Sequence, residues 1–181
     1  MVSMKKIISL VLLLLLVGAG LLVVPHLTAA QPARTATTTA TQQSKKPAAP
    51  KLTLSNLQHS KTLTYSSIIY FAVKHSKLQR WQEVSDFKLG WQVEIYPRNG
   101  QTKYLVWPDQ HIQDSAKNLA PNWFRFKDSQ HVLYDSMIVH SFRKDQTKTA
   151  SLTEIVKQIN ADHAAAKVRA MPQRLSVVTH K

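Results

Sequence analysis

Histidine is the side chain here best suited to chemistry near neutral pH, because a neutral imidazole takes a proton or ligates a metal there. Of the eight histidines, the candidates are His59, His75, His111, His131, His140 and His163. His131, Asp135 and His140 form the tightest grouping. On a regular strand positions 131 and 135 share a face while 140 takes the other. A bulge would gather the three, but no glycine marks one. His140 and Ser141 diverge for the same reason. Glu94, Asp109, Asp114, Asp128 and Asp135 are scattered, with no spacing that holds an acid and a base together. The chain has four glycines and contains no Gly-x-Ser-x-Gly, phosphate-binding glycine loop or His-Glu-x-x-His. It has no cysteine, which excludes disulfides, thiolate metal sites, cysteine nucleophiles and a lipidated-cysteine anchor. Surface or hydrogen-bonded histidines are therefore expected, with no catalytic residue, no metal and no cofactor. A hydrolase using His131 or His140 is the enzymatic alternative.

A second pattern points to binding. In Trp123-Phe124-Arg125-Phe126-Lys127, strand alternation puts Trp123, Arg125 and Lys127 on one face and both phenylalanines on the other. The phenylalanines suit a core. Lys103, Leu105 and Trp107 on the preceding strand fall beside the remaining face. Indole and cations together compose a surface for sugars, anionic polymers or nucleic-acid bases. The competing reading has Trp123 covering the edge of the core with its charges solvated. Trp123, Arg125, Lys127, Lys103 and Trp107 are the candidate binding residues.

The elements that must carry these residues occupy 52–181, enough chain for one domain with a core. Thr64 is positioned to cap a helix through Tyr65, Ile68, Ile69, Ala72 and Val73, with Tyr70 and Phe71 widening its apolar stripe. Leu78, Trp81 and Val84 predict a short second helical stretch. After Gly90 the period becomes two: Trp91, Val93 and Ile95 alternate with Gln92, Glu94 and Tyr96. Pro97-Arg98-Asn99-Gly100 turns the chain into a strand over Thr102–Trp107. A connection over 109–121, with a helical turn at Ser115–Leu119, leads to strands at Trp123–Lys127, His131–Phe142 and Thr147–Ala150. Ser151 and Glu154 form a capping-box pair opening a helix with Leu152, Ile155, Val156 and Ile159 on its apolar stripe. Asp162 is placed to cap a continuation that Pro172 stops, and Leu175, Val177 and Val178 favour a last strand. The expected fold class is α+β: an antiparallel meander of four to five strands flanked by N- and C-terminal helices on one face.

Ahead of this domain, Lys5 and Lys6 precede an uncharged run from Ile7 to Val24, 18 residues interrupted by Ser9, Gly18 and Gly20. As a helix at about 1.5 Å per residue it spans roughly 27 Å, close to a bilayer's hydrocarbon thickness. Thr28 and Ala30 permit peptidase cleavage before Gln31. A cleaved signal peptide and a retained N-terminal anchor are both open over residues 1–30. Either one exports the remainder, because the lysine flank stays cytoplasmic. Residues 31–51 are rich in Thr, Pro and Ala, lack large apolar side chains and read as an extended linker. Its cations Arg34, Lys45, Lys46 and Lys51 have no acidic counterpart. They form either a solvated tether or a strip on anionic lipid or wall polymer, where each contributes about 1 kcal/mol.

Phe126-Lys127, Val132-Leu133-Tyr134, Thr147-Lys148-Thr149-Ala150-Ser151-Leu152 and Ile155-Val156-Lys157, followed by a basic C-terminal stretch, resemble the end of small, exported, uncharacterised proteins of lactic-acid bacteria. The resemblance covers about a third of the chain. It implies export from a Gram-positive cell and carries no catalytic residue.

The formal net charge of +14 is unevenly spread. Residues 1–82 hold 10 positive and no negative charges, whereas 83–181 hold 14 positive and 10 negative. The basic imbalance belongs to the membrane flank, the linker and the first helical region. The leading expectation is an extracytoplasmic, membrane-anchored or secreted, non-catalytic module. Its partners are the membrane, through the N-terminal helix, and anionic lipid or wall polymer. Intracellular nucleic acid is disfavoured by export. A third expectation is an inhibitor-like or structural module acting by sheet-edge pairing.

Overall fold

The computed structural model describes residues 49–98, 100–119, 122–138 and 144–181. The N-terminal apolar run and the linker cations Arg34, Lys45 and Lys46 lie outside them. Among the described residues no helix is long and apolar enough to cross a membrane.

The chain enters the core at Leu52, which is buried. Its backbone is held on both sides by Asn160, whose amide side chain exchanges two hydrogen bonds of 2.8 Å with the Leu52 N–H and carbonyl. Arg169 donates to the carbonyls of Pro50 and Lys51 just upstream. Thr53 then opens the short helix α1 (Leu54–Gln58) with a reciprocal capping box to Asn56.

Helix α2 (Lys61–His75) is the centre of the domain. Its cap is Ser60, one turn earlier than Thr64, because the Ser60 hydroxyl accepts from the Leu63 amide. Thr64 sits inside the helix and donates its hydroxyl to the carbonyls of Leu57 and Ser60. Every residue from Tyr65 to Val73 is buried. A helix apolar on all sides needs cover on all sides. The sheet supplies one side, with Tyr65 against Tyr104 and Phe124, and Phe71 stacked on Tyr134. Helices α1, α3 (Leu152–Ala161) and α4 (Ala165–Ala170) supply the other.

A 3-10 helix at Gln79–Val84 buries Trp81 and Val84 as their spacing predicts. Trp81 donates its indole N–H to the Asp135 carbonyl, and Trp91 donates to the Val84 carbonyl at 2.8 Å. These two fully buried indoles bolt the segment to the sheet, and truncating either to alanine costs about 3–5 kcal/mol.

The sheet has six strands in the order β5-β4-β3-β2-β1-β6. They are β1 (Trp91–Arg98), β2 (Gln101–Pro108), β3 (Asn122–Phe126), β4 (His131–Ser136), β5 (Gln146–Ser151) and β6 (Leu175–Thr179). The first five form the expected antiparallel meander. The sixth corrects it, because β6 pairs with β1 in parallel and makes the sheet mixed. After β5, α3 and α4 carry the chain across the helical face to the opposite edge, and a strand arriving by such a crossover runs parallel to its neighbour.

Several boundaries also shift. Pro97 and Arg98 belong to β1 rather than to the turn, with Arg98 paired to Gln101. Because β6 pairs no further than Ile95, Pro97 lies where β1 has a free edge and its missing N–H is tolerated. Ser151 accepts from the Glu154 amide as expected. Asp162 is the C-cap of α3 rather than an N-cap, since its carboxylate is already engaged elsewhere. As expected, the α-helix ends ahead of Pro172, at Ala170, and the proline falls in the first turn of a 3-10 helix, Met171–Arg174, where no proline N–H is needed. The strand expected to reach Phe142 ends at Ser136, with Met137 and Ile138 outside it, and His140 lies outside the described residues.

Candidate functional site

The helices pack on one face of the sheet, so the side chains of the other face are the ones available for function. Cross-strand register places them in rows. Glu94, Leu105, Trp123, Asp135 and Thr147 form one continuous row from β1 to β5. Tyr96 and Lys103 form part of the next row.

Trp123, Lys103 and Arg125 are brought together. Lys103 Nζ lies over the Trp123 ring, 4.3 Å from its centroid. Burial lowers the ammonium pKa of Lys103. Arg125 donates to the Gln101 side-chain carbonyl, and its Nε has no partner. All three side chains are half-buried. The remaining two candidates do not join them. Trp107 shares this face, opposite Gln92, but is only 6% exposed; its indole N–H has no acceptor at full hydrogen-bond geometry, yet is near enough to Glu94 to help lower that carboxyl's pKa. A cleft of about 220 Å³ adjoins Trp107, lined among others by Arg80, Ile112, Leu119 and Asn122. Lys127 lies one residue beyond β3 in the turn to β4, exposed, so strand alternation does not govern it. Lys51, the one described linker cation, is exposed where the chain enters the domain.

Two carboxylates on this face escaped pattern reading as sites. Glu94 is 3% exposed and gathers donors from three parts of the chain. Lys117 Nζ reaches it at 2.7 Å, Tyr96 Oη at 2.6 Å and Gln92 Nε2 at 2.9 Å. His180 Nε2 lies 3.3 Å away, with its ring stacked flat on Tyr96 at 4.1 Å. Burial pushes the carboxyl pKa up, but the bonds from Lys117 and Tyr96 outweigh it and hold the group at about 2. Burial and the adjacent carboxylate raise the Tyr96 phenol to about 12. Alternation of Gln92, Glu94 and Tyr96 signals one shared polar face. Nothing local signals Lys117 or His180, which arrive by tertiary contact.

Asp135 is 6% exposed, and its Oδ1 has no hydrogen-bond partner. Burial and the nearby Asp145 carboxylate push its pKa up to about 6, against the pull of Lys103 and Arg125. His131 shares its face but turns to Asp128 in its own turn, at 2.9 Å. The cluster of His131 and Asp135 is therefore not assembled, and Leu133 stands between them on the strand. His75 instead meets Asp162 at 2.7 Å, where the same carboxylate oxygen accepts from Tyr70 at 2.9 Å. This dyad ties the end of α2 to the end of α3. Among the described residues, no three His, Asp or Glu side chains converge as metal ligands would.

Chemically, Glu94 has its lone pairs occupied and is a weak base. Asp135 takes up a proton as pH falls through about 6 but lines neither the cleft beside Trp107 nor the one beside Phe87. What the face offers is recognition: an indole, an ammonium and a guanidinium on a rigid sheet. The chain matches no family model, no curated protein and no solved structure.

Proposed function

We propose that this chain is an exported, membrane-associated protein whose extracytoplasmic domain is a non-catalytic binding module for anionic components of a Gram-positive cell envelope. The observation that carries the reading is the Lys103–Trp123–Arg125 group on the sheet face opposite the helices. Trp123 supplies a flat apolar surface for a ring or chain, and the two cations supply attraction to its charge. The apolar N-terminal run and the uncompensated linker cations hold the module near such a surface.

The test is binding of the full-length protein to an anionic wall polymer and to anionic and zwitterionic vesicles across a salt series. Binding is expected to weaken as salt rises, and to fall about tenfold in Trp123→Ala and in the double variant K103Q/R125Q. Negligible binding at low salt, or binding indifferent to salt, overturns the reading. The N-terminal residue of protein recovered from membrane and medium distinguishes cleavage before Gln31 from a retained anchor.

One observation favours a second reading, partner binding at the sheet edge. Strand β6 is an edge strand without glycine, proline or charge, and Val177 and Val178 are 40% and 38% exposed. Such an edge templates another strand. Binding of this kind survives high salt.

A further inference from the structure

On the helical side, away from the Trp123 face, the loop 85–90 meets the 3-10 helix Met171–Arg174. Gly90 allows the approach. It has φ +78°, and a Cβ there would meet the Arg174 carbonyl at 2.1 Å. Arg174 Nη1 donates to the Lys88 carbonyl at 2.6 Å and locks the two walls together. Between them lies a cleft of about 250 Å³ lined by Phe87, Lys88, Lys167, Ala170, Met171 and Arg174.

Its lining is one-sided. Three cations surround it and no carboxylate lines it. Among the described residues, none of the three is paired with an acid. Asp86, the adjacent acid in sequence, turns its Oδ1 to the backbone amides of Lys88 and Leu89. Asp162, beyond Tyr70, is occupied by His75. Lys167 Nζ rests on the Phe87 ring at 3.5 Å, and burial together with the like charge of Lys74 pushes its pKa down. Phe87 is itself fixed by edge contacts to Trp91 and Tyr70. Like charges gathered on a concave surface raise its potential, and a bound anion relieves their repulsion.

We propose that this cleft is an anion site for a phosphate group, free or esterified, held by Lys88, Lys167 and Arg174 over the Phe87 floor. Lysine and arginine side chains lining one cleft without a competing carboxylate are the chemistry that recognises phosphate oxygens. The site is separate from the Trp123 face, and its occupancy does not depend on the function proposed for that face.

The test is titration of the full-length protein with inorganic phosphate at constant ionic strength, chloride serving as the control, followed by the amide resonances of Phe87, Lys88, Ala170 and Arg174. Saturable shifts at these positions are expected. Affinity is expected to fall about tenfold in Lys88→Gln and in Lys167→Gln and to stay unchanged in Lys157→Gln, at an exposed lysine outside the cleft. Lys88 is exposed, so its variant reports on the site without disturbing the fold. Repeating the titration with glycerol phosphate and with phosphatidylglycerol against phosphatidylcholine vesicles assigns the source as free anion, polymer unit or lipid headgroup. Shifts equal to those in chloride, or unaffected by Lys88→Gln and Lys167→Gln, overturn the proposal.

Discussion

Glu94 and Asp135 lie in the same row on the same face of the same sheet, three strands and about 14 Å apart. Both are almost fully buried. Their acidities move in opposite directions, to about 2 and about 6. Burial acts alike on both and raises both. The difference lies in the donors. Glu94 is met by an ammonium, a phenol and an amide, whereas Asp135 has an unpartnered oxygen and a second carboxylate nearby. A carboxylate's environment is thus set by what folds over it, more than by its depth or its strand position.

The largest effect that sharpens this contrast is expected from Glu94→Gln. It strands the Lys117 ammonium, with only the exposed Asp114 left as its partner, and should cost about 3 kcal/mol by urea denaturation at neutral pH. Glu94 has a folded pKa below its unfolded one. Its contribution is complete above about 4.5 and is lost as pH falls through about 2, so the variant should lack this acid-side loss.

Tyr96→Phe removes a single bond to the same charge and should cost about 1.5 kcal/mol. It should also raise the Glu94 pKa, read by carboxyl carbon chemical shifts. An unchanged pKa would assign the depression to Lys117 and Trp107.

Asp135→Asn should act in the other direction, stabilising the fold by about 1 kcal/mol at neutral pH, since it removes a buried charge with incomplete pairing. The folded pKa of Asp135 exceeds the unfolded one. Here stability falls as pH rises from about 4 to about 6 and stays lowered above that. The variant should flatten the profile in that window. If both carboxylate variants shift stability in the same direction, the contrast breaks.

Much of the fold was legible in order of elements. The alternation after Gly90, the capping serine at Ser151 and the apolar spacing of Leu78, Trp81 and Val84 each act over a few residues, and each produced the element expected. Local competition displaced caps: Ser60 preceded Thr64 with an equally good hydroxyl, and Asp162 found two side-chain donors before any helix start. The parallel pairing of β6 was not legible, because the partner of a terminal strand depends on where the intervening helices deliver it.

The candidate site divides in the same way. Alternation in β3 determined that Trp123 and Arg125 share a face, since a pleated strand leaves no other choice. It carried no information on Trp107, which is buried on the neighbouring strand, or on Lys127, which lies past the strand end. Composition determined the uneven charge, the apolar N-terminal run and the absence of thiol chemistry. Tertiary structure alone decided that Lys117 and His180 meet Glu94, that Asp135 keeps an unpartnered oxygen, and that Lys88, Lys167 and Arg174 surround one cleft. Periodicity is a property of neighbouring residues and can be read from them. Convergence of residues distant in sequence depends on how the whole chain closes, and no local pattern encodes it.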